Sequence, residues 1–262
     1  MTLGLYTAGD SWLHRLFPIT KLIFSLSAIA IIFGGPNKWL SAILPGVISI
    51  LILWSAGIAW RALKLIVQLL TPIAVILFIV HGFFGPANHQ ILMRLGPFVL
   101  GQEGLMYASL IVVRLVSTLA SSLLLVTSTH PGSLIQALEQ TGLSRKLVYL
   151  LGSPLLLLPQ MARRIQTIRS AQQSRGLETQ GNLLQRIKAL FPLVAPLVFS
   201  ALVDVEERSL ALEVRGFSAP TPKTNLTEIP DTTKQQVLRW GMIVIAVCFL
   251  VFEFWRKRNG YD

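Results

Sequence analysis

The chain is poor in cysteine and in charge. Its one cysteine, Cys248, lies inside an apolar run, which excludes an intrachain disulfide and a cysteine-based zinc site. The four histidines, His14, His81, His89 and His130, are scattered and show no His-x3-His spacing. No pair of acidic residues falls within an apolar run, so no metal-ligand set and no metal-dependent membrane chemistry is legible. The sequence contains no G-x-x-x-x-G-K-[ST], so the chain carries no P-loop of its own. No catalytic cluster stands out, and no cofactor is expected. Charged residues make up 13% of the 262 positions, about half the usual soluble share.

What fills the space is apolar. Hydrophobic residues make up 53%, mean hydropathy is +0.62, and the apolar residues come in long runs that a soluble core does not need. Five stand out: Ile19 to Phe33, Leu40 to Trp54, Leu63 to Phe84 with Pro72 inside, Gly104 to Thr127, and Trp240 to Trp255. A spanning helix takes about 20 residues. The third and fourth runs meet that outright, and the others do so with flanking residues. Trp12, Trp39, Trp54, Trp60, Trp240 and Trp255 sit at run ends, where interfacial tryptophans belong. Residues 1–18 are polar and amphipathic and lack a signal-peptide pattern, so the first run is expected to stay as an anchor.

Net charge is +11. A basic balance suits nucleic acid, an anionic membrane face or an acidic protein partner, and the membrane runs leave nucleic acid out. Residues 128–239 hold 13 of the 23 Lys and Arg, whereas the 85–103 loop holds only Arg94. The positive-inside rule therefore puts the N-terminus and 128–239 in the cytoplasm. Five spans would put Arg256-Lys257-Arg258 outside, against the rule.

The pattern predicts an all-α polytopic membrane protein of about five transmembrane helices with long cytoplasmic helices. Residues 1–127 carry four spans, 128–217 form a cytoplasmic helical domain, 218–239 a linker rich in Pro, Thr and Ser, and 240–262 the last span and tail. Within 128–217, Leu147 to Leu158 and Phe191 to Val203 are apolar, but they are too short to span and are interrupted by prolines. They read as buried or interfacial helices.

One local pattern recurs. Ser174-Arg175-Gly176 and Val214-Arg215-Gly216 each close a charged helical run and precede an apolar residue. Glycine past a helix end takes the left-handed conformation, and arginine in the last turn complements the negative terminus. Either copy alone is an ordinary helix end. Two copies on one basic segment also suit a two-pronged docking, because arginine binds a carboxylate through two hydrogen bonds.

These residues carry a resemblance. The chain resembles the T component, the energy-coupling transmembrane subunit, of energy-coupling factor transporters, and is similar to the cobalt-transport Q-subunit branch. The Arg-Gly ends match that family's paired Ala-Arg-Gly signatures. Thr127-Ser128-Thr129-His130-Pro131, Leu158-Pro159 before Ile165 and Ser170-Ala171-Gln172, Phe191-Pro192-Leu193, and the opening GDSWLHRLFPITKL match as well. Ser174 and Val214 depart from the usual alanine. The resemblance implies a subunit without catalytic activity in a vitamin or metal-ion uptake transporter. It would dock two ABC-type ATPases through Ser174, Arg175, Gly176, Val214, Arg215 and Gly216, and would serve a separate substrate-capture membrane protein. ATP hydrolysis would belong to the ATPases.

Other residues admit two readings. Arg114 lies mid-run, where a charge costs at least ~2.5 kcal/mol on insertion scales; it suits a contact to the capture protein, or a structural pairing with helix carbonyls or Ser117. Small residues such as Ser117, Ala120 and Ser121 suit close helix packing. Asp204, Glu206, Glu207 and Arg208 could pair with the basic stretch at 163–169, with a solvated face as the default. A self-sufficient carrier or channel, or a membrane enzyme acting on a lipid-like substrate, are the competing functions; the first leaves the basic segment unexplained and the second lacks a polar cluster.

Overall fold

The computed structural model describes residues 9, 11–35, 37–84, 91–95, 98–177, 182–217, 219 and 229–259. In chain order the elements are α1 (Trp12–Arg15), α2 (Pro18–Gly34), α3 (Lys38–Ser55), α4 (Ala59–Phe84), the antiparallel pair β1 (Ile91–Leu95) and β2 (Phe98–Gly101), α5 (Gln102–Ser128), α6 (Pro131–Gln140), α7 (Arg145–Ser174), α8 (Leu183–Val214) and α9 (Thr233–Arg258). The protein is all-α apart from that small ribbon between α4 and α5.

Local chemistry explains the boundaries. Pro18 sits in the first turn of α2, where its missing N–H costs nothing. Asn37 caps α3 by accepting the N–H groups of Trp39 and Leu40, and Ser144 caps α7 through Leu147 N–H. Three stretches differ from the sequence reading. Leu147 to Leu158, expected as a short helix, is part of one 30-residue helix that runs through Pro154 and Pro159 to Ser174. Phe191 to Val203, expected as a short separate helix, is part of one 32-residue helix that runs through Pro192 and Pro196 to Val214. The helix-forming run of Glu, Leu, Ala and Arg after Asp204 carries it on. Helix α9 begins at Thr233, inside the stretch read as linker.

Among the described residues five helical stretches are long and apolar enough to cross a membrane: Lys38–Ser55, Ala59–Phe83, Gln102–Ser128, Ala189–Val214 and Thr233–Arg256; α2, with 17 residues, is a shorter apolar helix. The number matches the expectation, but the membership differs: the first run is the short helix, and α8 supplies an unexpected member.

The chain divides into two compact units. The first holds α1 to α6 and α9. There α5 packs against α2, α3 and α4, while α2 also packs against α3 and α9. The α3–α5 seam is built from small residues. A Cβ on Gly46 would lie 2.1 Å from Ser117 Oγ. Ser117 Oγ donates to Ala42 O, and Ser49 and Ser121 share a 2.9 Å hydroxyl hydrogen bond. Small residues bring the backbones close, as membrane helices need where apolar burial supplies no drive between them. Leu13, Leu53, Ile66, Leu70 and Leu124 fill the core beside this seam. Lys21 is buried, and its Nζ donates to Ser128 O at 2.9 Å, a cation on the last turn of α5. Gln235 Oε1 accepts Phe17 N–H, and Arg239 pairs with Asp231 at 2.6 Å, fixing the start of α9. The second unit is built on the pair α7 and α8.

Candidate functional site

The two arginine–glycine pairs end α7 and α8 in the same way. Leu177 N–H bonds to Gln172 O at 3.0 Å, and Gly176 N–H to Gln173 O at 3.0 Å. Phe217 N–H bonds to Leu212 O at 2.9 Å, and Gly216 N–H to Glu213 O at 2.9 Å. Each is a Schellman closure with glycine as the left-handed residue. Gly176 has φ +89° and Gly216 φ +63°. A Cβ on Gly176 would meet nothing within 4 Å, and one on Gly216 only Ala219 Cβ at 3.6 Å. The glycines are therefore required by the backbone angle and not by lack of room.

Arg175 and Arg215 occupy the cap positions, and both side chains are exposed. Among the described residues neither has a side-chain partner. Ser174 and Val214, one residue before, are exposed too. Ser174 Oγ donates back to Ser170 O at 3.2 Å, and Val214 is 88% exposed. The order helix, small turn, free guanidinium is thus the same at both ends. A planar five-donor group held at a rigid tip suits a carboxylate in a groove.

Side-chain contacts set where these ends stand relative to each other. Arg164 Nη2 donates to Asp204 Oδ1 at 2.9 Å, and its Nη1 donates to Ser200 O at 3.1 Å; the closest approach of the ion pair is 2.6 Å. Arg208 Nη2 donates to Gln160 Oε1 at 2.8 Å. Later positions on α7 pair with earlier positions on α8, so the helices are antiparallel. Tyr149, near the start of α7, packs on Phe217 beyond the end of α8, with ring centroids 5.4 Å apart. The two arginine tips therefore lie at opposite ends of the pair. Eleven residues on each side of the Arg164–Asp204 contact, at 1.5 Å per residue, give about 33 Å along the helix axes and, with the offset between packed helices, a separation of about 35 Å.

The clasp is placed evenly. Arg164 precedes Arg175 by eleven residues, and Asp204 precedes Arg215 by eleven. Each tip thus stands about 16 Å along its helix from the crossing. Asp204 and Arg208 belong to this clasp and not to a solvated face, whereas Glu206 and Glu207 remain exposed. The common spacing was legible in the sequence; the pairing across 40 residues was not.

Arg114 belongs to the first unit and the two tips to the second. Its guanidinium lies over the Phe33 ring, 5.9 Å from the centroid, and among the described residues it has no carboxylate partner. Lys21 meets Ser128, and Phe33, in the last turn of α2, meets Arg114. Arg114 lies near the middle of α5, about 21 Å along the helix from Ser128. The hydrogen bond to Ser117 considered from the sequence is not made; Ser117 serves Ala42. His81 Nδ1 approaches Leu77 O, and Arg256 pairs with Glu253 at 3.2 Å. No group of His, Cys, Asp and Glu that could hold a metal ion is present among the described residues.

The family model of the cobalt transport protein CbiQ matches residues 9–226. The energy-coupling factor transporter transmembrane protein EcfT of Lacticaseibacillus paracasei is 30% identical over 268 residues, covering 97% of this chain and 98% of the relative. The protein of the same name from Leuconostoc gelidum is 30% identical, covering 97% of both chains. That of Bacillus subtilis is 28% identical over 257 residues, covering 94% and 96%.

Proposed function

The chain belongs to the CbiQ cobalt transport protein family and to the energy-coupling factor transporter transmembrane proteins, and on that premise we propose that its second unit couples a pair of ABC-type ATPases to the membrane. It is a multi-pass protein of the cell membrane and a transport component. The finer reading is that Arg175 docks in a carboxylate-bearing groove of one ATPase and Arg215 in that of the other. Ser174 and Gly176, with Val214 and Gly216, shape the two tips. ATP hydrolysis then takes place in those partners, and a separate membrane subunit captures the vitamin or metal ion.

One observation carries this proposal. Two identically closed helix ends, each with an exposed and unpaired arginine, stand about 35 Å apart at opposite ends of one clasped pair. A single groove cannot receive both. Two grooves on a pair of subunits can, and closure of that pair would push on a stiff lever whose two arms meet at Arg164 and Asp204. The reading places the N-terminus and residues 128–217 in the cytoplasm, where the ATPases are, with 218–239 leading back to the last span.

The test is co-purification in mild detergent with the ATPase subunits, comparing wild type with Arg175→Glu/Arg215→Glu. The expected result is a retained ATPase pair in the wild type and its loss in the double variant, with unchanged elution and melting. Equal retention by both proteins would reduce the arginines to helix caps and remove the proposal.

A further inference from the structure

The second unit is an insertion: the chain leaves the first unit after α6 and returns to it at Ile229. Both connections are held on α6. On the outgoing side, Thr141 N–H bonds to Ala137 O and Gly142 N–H to Glu139 O, each at 3.2 Å, and Gly142 turns the chain with φ +86°. On the returning side, the Gln140 side-chain amide donates to Ile229 O at 3.3 Å and accepts Ile229 N–H at 2.9 Å. Pro230 follows and has no N–H to extend a ladder. One side chain thus serves both backbone groups of a residue whose own side chain packs among apolar neighbours.

The same place is a junction of three helices. Phe17, the residue before α2, is buried and clusters with Ile19 and with Ala137 of α6; Leu134, Leu138 and Ile229 pack against them. Phe17 N–H is taken by Gln235 Oε1 at 2.9 Å, and the Arg239 guanidinium lies 5.1 Å from the Phe17 ring centroid. Arg239 also pairs at 2.6 Å with Asp231, two residues after Ile229. The returning chain is therefore fastened to the start of α2 through α9. The outgoing chain is fastened there through α6, which packs on α2. Gln140 joins these two legs directly.

We infer, on the reading that the second unit docks ATPases, that Gln140 is a positioning residue that ties the two connections into one joint at the start of α2, so that nucleotide-driven movement of the second unit reaches α6 and α2 as one displacement. Without the bridge the outgoing leg can twist at the open Gly142 turn, where a Cβ would meet nothing within 4 Å, while the returning leg stays fixed to α9. Leucine in place of Gln140 keeps an apolar stem and removes both hydrogen bonds. Glutamate keeps the acceptor for Ile229 N–H but sets a carboxylate oxygen against Ile229 O.

The test is hydrogen exchange on the full chain in nanodiscs, first alone and then with the purified ATPase pair, nucleotide-free and trapped with ATP and vanadate. Alone, Gln140→Leu should speed exchange at Ile229 N–H by about 30-fold, the worth of two neutral hydrogen bonds, and Gln140→Glu should speed it less. With ATPases bound, trapping should change the exchange of residues 131–140 in the wild type. In Gln140→Leu that change should be lost, while the response at the two tips and the amount of ATPase retained stay the same; the intact tip response shows that the variant is folded. A wild type whose tips respond while 131–140 do not, a response in 131–140 that survives Gln140→Leu, or an unchanged rate at Ile229 overturns the joint and leaves the ATPase docking standing. Loss of ATPase retention in both the leucine and glutamate variants makes Gln140 a folding residue and overturns the joint as well. Failure of the wild type to retain ATPases removes the docking itself, and the Ile229 rate then still reports whether the bridge forms.

Discussion

Gly216→Ala should weaken ATPase binding without altering the membrane part. The backbone there has φ +63°, where an L-residue costs roughly 1–2 kcal/mol. Sterics add little, because the new Cβ meets only Ala219 Cβ at 3.6 Å. The chain can escape the strain by opening the turn. That breaks the bonds from Phe217 N–H to Leu212 O and from Gly216 N–H to Glu213 O, and frees Phe217 from Tyr149. Binding then draws on a reduced closed population, and the apparent Kd rises by about 5- to 30-fold. Asparagine tolerates the left-handed region better, so Gly216→Asn should fall between wild type and alanine, and valine should be worst. Gly176 at φ +89° should give the same order. Gly241→Ala is the control: Gly241 lies inside α9 with ordinary φ and open space, so alanine should stabilise by up to ~1 kcal/mol and leave binding alone. The assay is titration of the ATPase pair onto nanodisc-held protein. The reasoning fails if Gly216→Ala binds as tightly as wild type, or if asparagine is as damaging as alanine.

The clasp should set the tip spacing: spin labels at 173 and 213 should show a narrow distance distribution near ~35 Å, broadened by Arg164→Ala and narrowed again in Arg164→Asp/Asp204→Arg, whereas an unbroadened single variant would show that other contacts hold the pair. Gly46→Ala puts a Cβ 2.1 Å from Ser117 Oγ and should destabilise the membrane unit by about 1–3 kcal/mol, read as a lower melting temperature in detergent. Arg114→Leu removes a charge that, among the described residues, lies over the Phe33 ring; the helix-centre insertion cost of ~2.5–3.5 kcal/mol exceeds a cation–π contact of ~2 kcal/mol, so the variant should melt slightly higher and still co-purify with ATPases. A lower melting temperature would mean that Arg114 has a structural partner in the bilayer.

Much of this protein is written locally. The apolar runs mark it as polytopic because a spanning helix must be apolar over its own length, and α3, α4, α5 and α9 lie where those runs fall. The Arg-Gly ends were legible for a similar reason: a Schellman closure is made by bonds within six consecutive residues, so glycine in position is nearly sufficient. The charge asymmetry of residues 128–239 likewise needed only counting. What the chain could not show by itself is what segments far apart in sequence do to each other. That α8 continues through two prolines depended on the helix-forming residues beyond them outweighing the breaks. That Asp204 is clasped by Arg164 depended on antiparallel packing of α7 and α8, since a charge pattern suits a solvated face equally well. That the arginine tips are about 35 Å apart and not side by side follows from the same packing. That Arg114 lies over Phe33 of α2 depended on how α2 packs against α5, because position along a run says nothing of which neighbour is set against it.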